Sequence, residues 1–489
     1  MVGAPAGPRL ARVASGVIGI VGVAFSVGAY GADWSLVPRL GVVESFSDNA
    51  NLASDDEDRN SDFITRISPG LSLRGQGGRT SLNLDYANNQ NISHLGTQSD
   101  NNSNSLAATG QVEVWDRIAF INGSASISQV VENTNEARSN SIAGENVNRT
   151  EARVFSVSPS FRHHFGPWVE TLTSVNYNNV TTESDTVGNT STLSESVAIS
   201  SGRRFTRLLW SISGSNTKTE NNDEPAQISQ NVNADGTLVV TSKISLTGGF
   251  GWQRTENTGL DTNPIGMTWR GGVSARPSPR TSLQFSYGDQ NDTKSFSFSG
   301  SHRFSERTSM SASYSESIQT SQGQIADNLQ FLVLDPLTNQ LIDARTGQPF
   351  GPDDSFGLTE NTFRQKRFSL SMNGSRQRNT FNISAFWEER DVEAENVVET
   401  GYGGSVGFSR SLTPRASGNI NLGYRKTDNG TADERTEDQF DTSLGFSYRV
   451  GKDIQATLAY NFTLRKVNNA PTPENTHENS VTVGLTKSF

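Results

Sequence analysis

The 489 residues contain no cysteine, which removes disulfides, thiolate metal sites, cysteine nucleophiles and lipidation at a cysteine together. Long apolar runs are scarce as well. Mean hydropathy is −0.52, and beyond the N-terminus no stretch approaches the roughly 18 consecutive apolar residues of a spanning helix. Hydrophobic residues make up 33% and charged ones 19%, leaving roughly a third of the chain as Ser, Thr, Asn and Gln, more than a packed soluble core carries. Of the histidines, His94, His163, His164, His302 and His477, only the adjacent pair is close in sequence, and neighbouring strand residues point to opposite faces. No metal site and no cofactor is expected from that spacing. A net charge of −10 argues against a nucleic-acid partner. Two classes survive: a mostly disordered polar chain, or an all-β barrel that shows its apolar residues on every second position.

The N-terminus reads as an export signal. Arg9 and Arg12 precede the uncharged stretch Val13 to Ala32, and Ala29-Tyr30-Gly31 offers the small residues of a cleavage site. The expected division is a signal peptide over 1–31 and one barrel domain over 32–489.

From Trp34 onward apolar residues alternate in runs of about ten, the length that crosses a bilayer as a tilted strand. Leu82, Leu84 and Tyr86 share one face; so do Leu283, Phe285 and Tyr287; Phe381, Ile383, Ala385 and Trp387; and Ile420, Leu422 and Tyr424. The opposite faces carry Ser, Thr, Asn or Gln. Connections alternate between short turns, such as 75–79, 276–280, 305–307 and 413–415, and longer polar loops, such as 47–62, 88–104, 130–149, 178–189 and, longest, 319–361. Short turns at one end and long loops at the other are the mark of an up-and-down barrel in a membrane. About 22 strands are expected, an even number that returns both ends to the periplasmic side.

A repeat sets the register. Arg79-Thr80-Ser81-Leu82 leads to Tyr86, Arg280-Thr281-Ser282-Leu283 to Tyr287 and Arg307-Thr308-Ser309-Met310 to Tyr314, with Arg415-Ala416-Ser417 and Tyr424 as a looser copy. Seven strand residues cover about 23 Å, so each Arg falls at the short turn. The four tyrosines, Tyr86, Tyr287, Tyr314 and Tyr424, are then candidates for the aromatic girdle at the opposite interface. The last strand, with Val481, Val483, Leu485 and Phe489 on one face, ends on a terminal phenylalanine of the kind the barrel-assembly machinery reads. Arginines cluster at the short turns, while acids such as Asp55 to Asp58, Asp353, Asp354, Asp433 and Glu434 cluster in or beside the long loops. Such acids either simply keep the loops soluble or act with divalent cations near lipopolysaccharide phosphates and disfavour anions at the mouth.

The stretches Ile67-Ser68-Pro69-Gly70-Leu71-Ser72-Leu73-Arg74-Gly75, Leu82 to Tyr86 and Val114-Trp115-Asp116-Arg117-Ile118 resemble a family of outer-membrane proteins associated with PEP-CTERM/exosortase and exopolysaccharide gene clusters. Trp269 with Arg276-Pro277-Ser278-Pro279-Arg280, Tyr314-Ser315-Glu316 and Arg378-Asn379-Thr380 to Glu389-Arg390 continue the resemblance over nearly the whole mature chain. It implies a large barrel in the cell outer membrane, linked to surface polysaccharide or to exopolysaccharide-export components, and brings no catalytic residue with it.

Enzymatic patterns are thin. Gly403-Gly404-Ser405-Val406-Gly407 matches G-x-S-x-G but falls inside an expected strand rather than on a strand-to-helix elbow. Asp55-Asp56-Glu57-Asp58 lacks the spacing of a calcium loop. The chain therefore reads as a non-enzymatic pore with a polar lumen, the long 319–361 loop being either extracellular or folded inward as plug or constriction. The alternative is a non-conducting barrel that displays its loops to polysaccharide or envelope partners.

Overall fold

A computed structural model describes residues 32–489 apart from 55–57, 98, 133–135, 140, 143–147, 185–187, 222–225, 257–263, 291–292, 329–331, 335–340, 344–355, 357, 360, 431–434 and 471–473. The expected signal peptide, most of the acidic loop residues and much of the longest loop lie outside the described residues.

Twenty-two strands form one sheet in which each pairs antiparallel with its neighbours in the chain. The first strand, Asp33–Ser47, also pairs with the last, Thr476–Ser488, from Arg39 opposite Ser488 to Ser47 opposite Ser480. That pairing closes the sheet into a barrel without free edges, the condition for strands to live in lipid. Phe489 adds one more bond across the seam, its N–H donating to the Pro38 carbonyl at 3.0 Å.

Alternation decides which face looks where. Along the first strand Val43, Ser45 and Ser47 are buried inside the barrel, whereas Leu36, Leu40 and Val42 are exposed outside it. The same parity exposes Phe285 and Tyr287, Ile420 and Leu422, Phe446 and Tyr448, and Val481, Val483, Leu485 and Phe489. A soluble protein would not leave such a continuous apolar belt in water, so the belt faces lipid and the polar face lines the lumen. Gly75 lies beneath the Trp34 ring and Gly374 beneath the Phe381 ring; in each case a Cβ would collide with the ring. The aromatics fill these gaps in the belt.

The short turns fall where the arginine repeat places them. The carbonyls of Arg79, Arg280, Arg307 and Arg415 accept the N–H groups of Glu113, Arg303, Ser375 and Arg449 at 2.7 to 2.9 Å, each on the next barrel strand rather than on the short-turn hairpin partner. The repeated arginine is thus the first ladder residue after its turn, and its side chain reaches the water beyond. Register shifts at 113/115, 275/278, 303/305 and 411/413 sit beside these turns, where bulges tighten the twist needed for closure.

At the other end the strands outrun the expectation. Asn88 to Ser93 and Asn101 to Asn104, read from sequence as loop, continue the pair of strands Thr80–Ser93 and Asn101–Trp115. Barrel strands run from 10 to 17 residues, more than the bilayer requires. Asparagine hid this extension, because it disfavours strands in water yet suits a wall whose inner face is satisfied by side chains: Asn89 and Asn91 are buried in the lumen, bonding Ser68 and Arg66.

Besides the barrel, the longest loop holds the helix Ser321–Asn328 and a small hairpin of Leu332–Leu334 with Leu341–Asp343. No helix among the described residues is long and apolar enough to cross a membrane.

Candidate functional site: the lumen and two loops folded into it

Burial inside the barrel is lopsided. Nearly all fully buried side chains, among them Arg66, Asn89, Phe363, Glu388, Arg390 and Gln439, belong to the long-loop half. The lumen toward the short turns is only partly covered. Two loops account for the difference.

The first loop follows the strand Ala119–Val131 and returns at Arg149. Its Ile142 packs against Val43 and Ile64 on the first two strands. Ser141 donates to Glu478 Oε1 at 2.5 Å, and Ser139 donates to the other oxygen of the same carboxylate. Glu478 also accepts from Ser47 at 2.7 Å. Arg138 donates to Gln439 at 2.8 Å and pairs with Glu437, which Arg465 holds from the far side at 2.9 Å. Four strands separate the start of this loop from the strand that carries Glu478, so the loop folds inward across that sector of the lumen.

The second loop lies between Gln319 and Phe363. Its Ile325 and Leu358 join Val130, Ala152, Val154 and Val180 in an apolar cluster. Those valines sit on strands separated from the loop's own root by seven to nine strands, close to the opposite wall. Burying Ile325 completely stabilises this docking by about 2 kcal/mol. Near its root the loop is held by polar contacts: Arg390 donates to Gln324 at 2.6 Å and lies 4.7 Å from the Phe356 ring and 4.4 Å from the Phe363 ring. Arg390 is paired with Glu388 at 3.1 Å, and Glu388 accepts from Arg367 and Gln365 at 2.7 Å each. The two loops meet where the Leu358 N–H donates to the Glu132 carbonyl at 3.2 Å. Among the described residues, both loops dock on inward-facing side chains at the long-loop end of the barrel.

Below the loops much of the wall is hydroxyl and amide, with charged pairs at Arg39, Arg74 and Asp85 and at Arg270 and Asp235. Ser282, Ser301, Ser311, Ser371, Ser384 and Ser405 stand directly opposite one another on six successive strands. Ser311 and Ser371 are joined at 2.7 Å, as are Ser384 and Ser405. The serine of the G-x-S-x-G pattern is thus a wall residue in the strand Val397–Thr413, hydrogen-bonded to another serine. His163 packs on Phe165 and His164 lies 3.4 Å from Glu170 near a short turn, with no third ligand converging among the described residues.

Tyr86, Tyr287, Tyr314 and Tyr424 all fall on the outward face. Three of their hydroxyls donate to side chains: Tyr86 to Asn104 at 2.9 Å, Tyr314 to Glu316 at 2.8 Å and Tyr424 to Asp438 at 2.7 Å. Lys487, which breaks the apolar alternation of the last strand, holds its ammonium 4.6 Å from the Phe489 ring.

Sequence reasoning missed the first loop as an occluding element and missed the Arg–Glu cluster behind the second. A usable signal was present: Glu388 and Arg390 share the inward face of a strand whose earlier inward residues, Thr380, Asn382, Ser384 and Phe386, are uncharged, and opposite charges two residues apart on a lumen face mark a place where something docks.

Residues 342–489, less than half of the chain, match the Omp85 superfamily domain. No curated protein matches the sequence. Among solved structures the chain is similar to the siderophore receptor PirA from Pseudomonas aeruginosa, at 10% identity over 93% of this chain and 80% of that one, with a TM-score of 0.42. It is similar to the ferric-catecholate import receptor Fiu from E. coli K12, at 9% identity over 92% and 81%, with a TM-score of 0.49. It is also similar to the outer-membrane protein opdK from Pseudomonas aeruginosa, at 9% identity over 93% and 99%, with a TM-score of 0.34. The closed ring stands on its own strand pairing. With its lipid-facing belt and the Omp85 superfamily match, it is an outer-membrane β-barrel.

Proposed function

We propose that this barrel is a gated outer-membrane conduit for polar solutes, with polysaccharide passage as its finer role in an exopolysaccharide system of the PEP-CTERM type. The observation that carries the reading is the division of the lumen. Its short-turn half is lined largely by hydroxyl and amide side chains, and on its long-loop half two of the chain's own loops dock through side-chain contacts. Ser, Thr, Asn and Gln offer donors and acceptors in every direction without fixed charge, which suits a surface along which sugar hydroxyls exchange partners. The reading is non-enzymatic, with export to the periplasm directed by residues 1–31 and insertion by assembly machinery acting on the strand that ends at Phe489. The four tyrosines serve as the outer interface girdle, next to lipopolysaccharide.

The second reading, a non-conducting barrel that displays its loops, is favoured by the buried Arg–Glu groups at Glu388–Arg390 and Glu437–Arg465, which crowd the outer half. Conductance of the purified protein in planar bilayers separates the two. A conduit shows discrete openings that become more frequent when the loops are undocked; a display barrel stays silent in both forms.

A further inference from the structure

One inward side chain of the strand Asn379–Val392 stands apart from the hydroxyl and amide groups around it. In the strand Asn379–Val392 the inward residues run Asn382, Ser384, Phe386, Glu388 and Arg390. Phe386 is an aromatic ring on the water-facing side of the sheet, half-buried, one inward step below the charged pair that anchors the second loop. Its neighbour across the strand pair is Gly403, where a Cβ would come within 2.9 Å of the ring. The glycine leaves the space the ring takes up against the wall.

The surroundings are polar on every side. Directly opposite on the other neighbouring strand is Ser369; Ser384 and Ser405 lie in the next row toward the short turns, and Gly403 faces Arg425 in turn. The Arg367 guanidinium lies 5.9 Å from the ring centre while donating to Glu388. A phenylalanine that served only to pack would be expected on the lipid face, where Phe381, Ile383 and Trp387 of the same strand sit. Its presence among hydroxyls and guanidinium groups supplies an apolar plate ringed by hydrogen-bonding groups, an arrangement that matches the two chemistries of a sugar: an apolar C–H face and an equatorial fringe of hydroxyls.

We propose that Phe386, with Ser369, Ser384, Ser405 and Arg367 around it, is a saccharide-binding subsite on the lumen wall. The subsite rests on the conduit reading and names its solute class. A sugar ring lies over Phe386, its hydroxyls replace water on the serines, and Arg367 donates to it from the side. Because Arg367 also holds Glu388, which holds Arg390, the subsite borders directly on the anchor of the occluding loop, and a bound sugar lies immediately beneath that closure.

The test is equilibrium binding by titration calorimetry on the full chain in a detergent without a sugar headgroup. Maltohexaose is the saccharide probe and a polyethylene glycol of matching size the control. The expected result is binding of maltohexaose but not of the glycol, weakened about tenfold in F386A and in F386L and retained in F386W, since the loss of one aromatic contact corresponds to roughly that factor. F386L keeps the bulk over Gly403, so a purely packing role leaves its binding equal to wild type. Equal binding by wild type and F386L, or no binding of maltohexaose, overturns the subsite. Bilayer conductance is recorded on the same preparations: a conducting barrel that binds no sugar leaves the conduit reading standing without the subsite, and a silent barrel that binds sugar through Phe386 does the reverse.

Discussion

Ser141 donates its hydroxyl to Glu478 at 2.5 Å, although the two residues are 337 positions apart in the chain. The bond ties a loop that follows the fifth strand to the wall of the last one, and Ser139 and Ser47 converge on the same carboxylate. A hydrogen bond of this kind contributes about 1 kcal/mol, so with Ser139 and Ser141 both donating to it Glu478 is a latch of the first loop.

Replacing Glu478 by alanine is therefore expected to release that loop. The absence of native cysteine makes the check clean: Ile142→Cys places a single thiol where the wild-type side chain is 3% exposed. Maleimide labels it slowly in the otherwise native chain and at least about tenfold faster once E478A removes roughly 1.4 kcal/mol or more of docking. Equal labelling rates would show that the latch lies elsewhere.

The second loop depends on a different chemistry. Glu388 and Arg390 are both 0% exposed, and removing one partner strands the other's charge away from water. Arg390→Ala is expected to destabilise the barrel by about 3 to 5 kcal/mol, whereas the double replacement E388Q/R390M recovers most of the loss. Urea unfolding in detergent, followed by tryptophan fluorescence, measures both. A single mutant as stable as wild type would mean that the pair contributes nothing to the closure.

The barrel itself was legible in the sequence because lipid imposes a strict rule. One face of every strand must be apolar, so Leu283, Phe285 and Tyr287 or Ile420, Leu422 and Tyr424 declare their orientation without any structure. Strand number, the two kinds of connection and the arginine that follows each short turn came with it. What happens inside a wet barrel obeys no comparable rule. Asn89 and Asn91 read as loop because their strand character comes from partners on other strands. Ile142 and Ile325 are single apolar residues in polar loops, and only their docking sites explain them. Phe386 has the same residue type as Phe381 and Phe285; its opposite facing follows from a parity visible once the strand's register is known.

Face assignment is open to a direct comparison between adjacent residues. Phe285 is 43% exposed on the lipid side, and Ser286 points inward, bonded to Ser297 at 2.5 Å. Phe285→Arg is expected to cost about 2 to 4 kcal/mol near the bilayer midplane, and Ser286→Arg far less, because its guanidinium meets water. Folding yield into vesicles, read from heat-modifiable mobility on gels, ranks them. The reverse order would place lipid on the wrong face.

The apolar anchor of the second loop has its own signature. Ile325→Asp sets a carboxylate among Val130, Val154 and Val180, a burial too unfavourable to persist. The helix Ser321–Asn328 is then expected to leave the wall while the barrel stays folded. Protease sensitivity gained between residues 319 and 363, with the rest of the chain resistant, is the readout; unchanged resistance would mean that Ile325 does not hold the loop.

The central claim is that the chain's own loops close a polar passage. Its most direct measurement is the single-channel conductance of the full chain beside that of a variant lacking residues 325–357. A conduit closed by its loops conducts several-fold more, and opens more often, once that segment is gone. Identical traces from the two proteins would contradict the account.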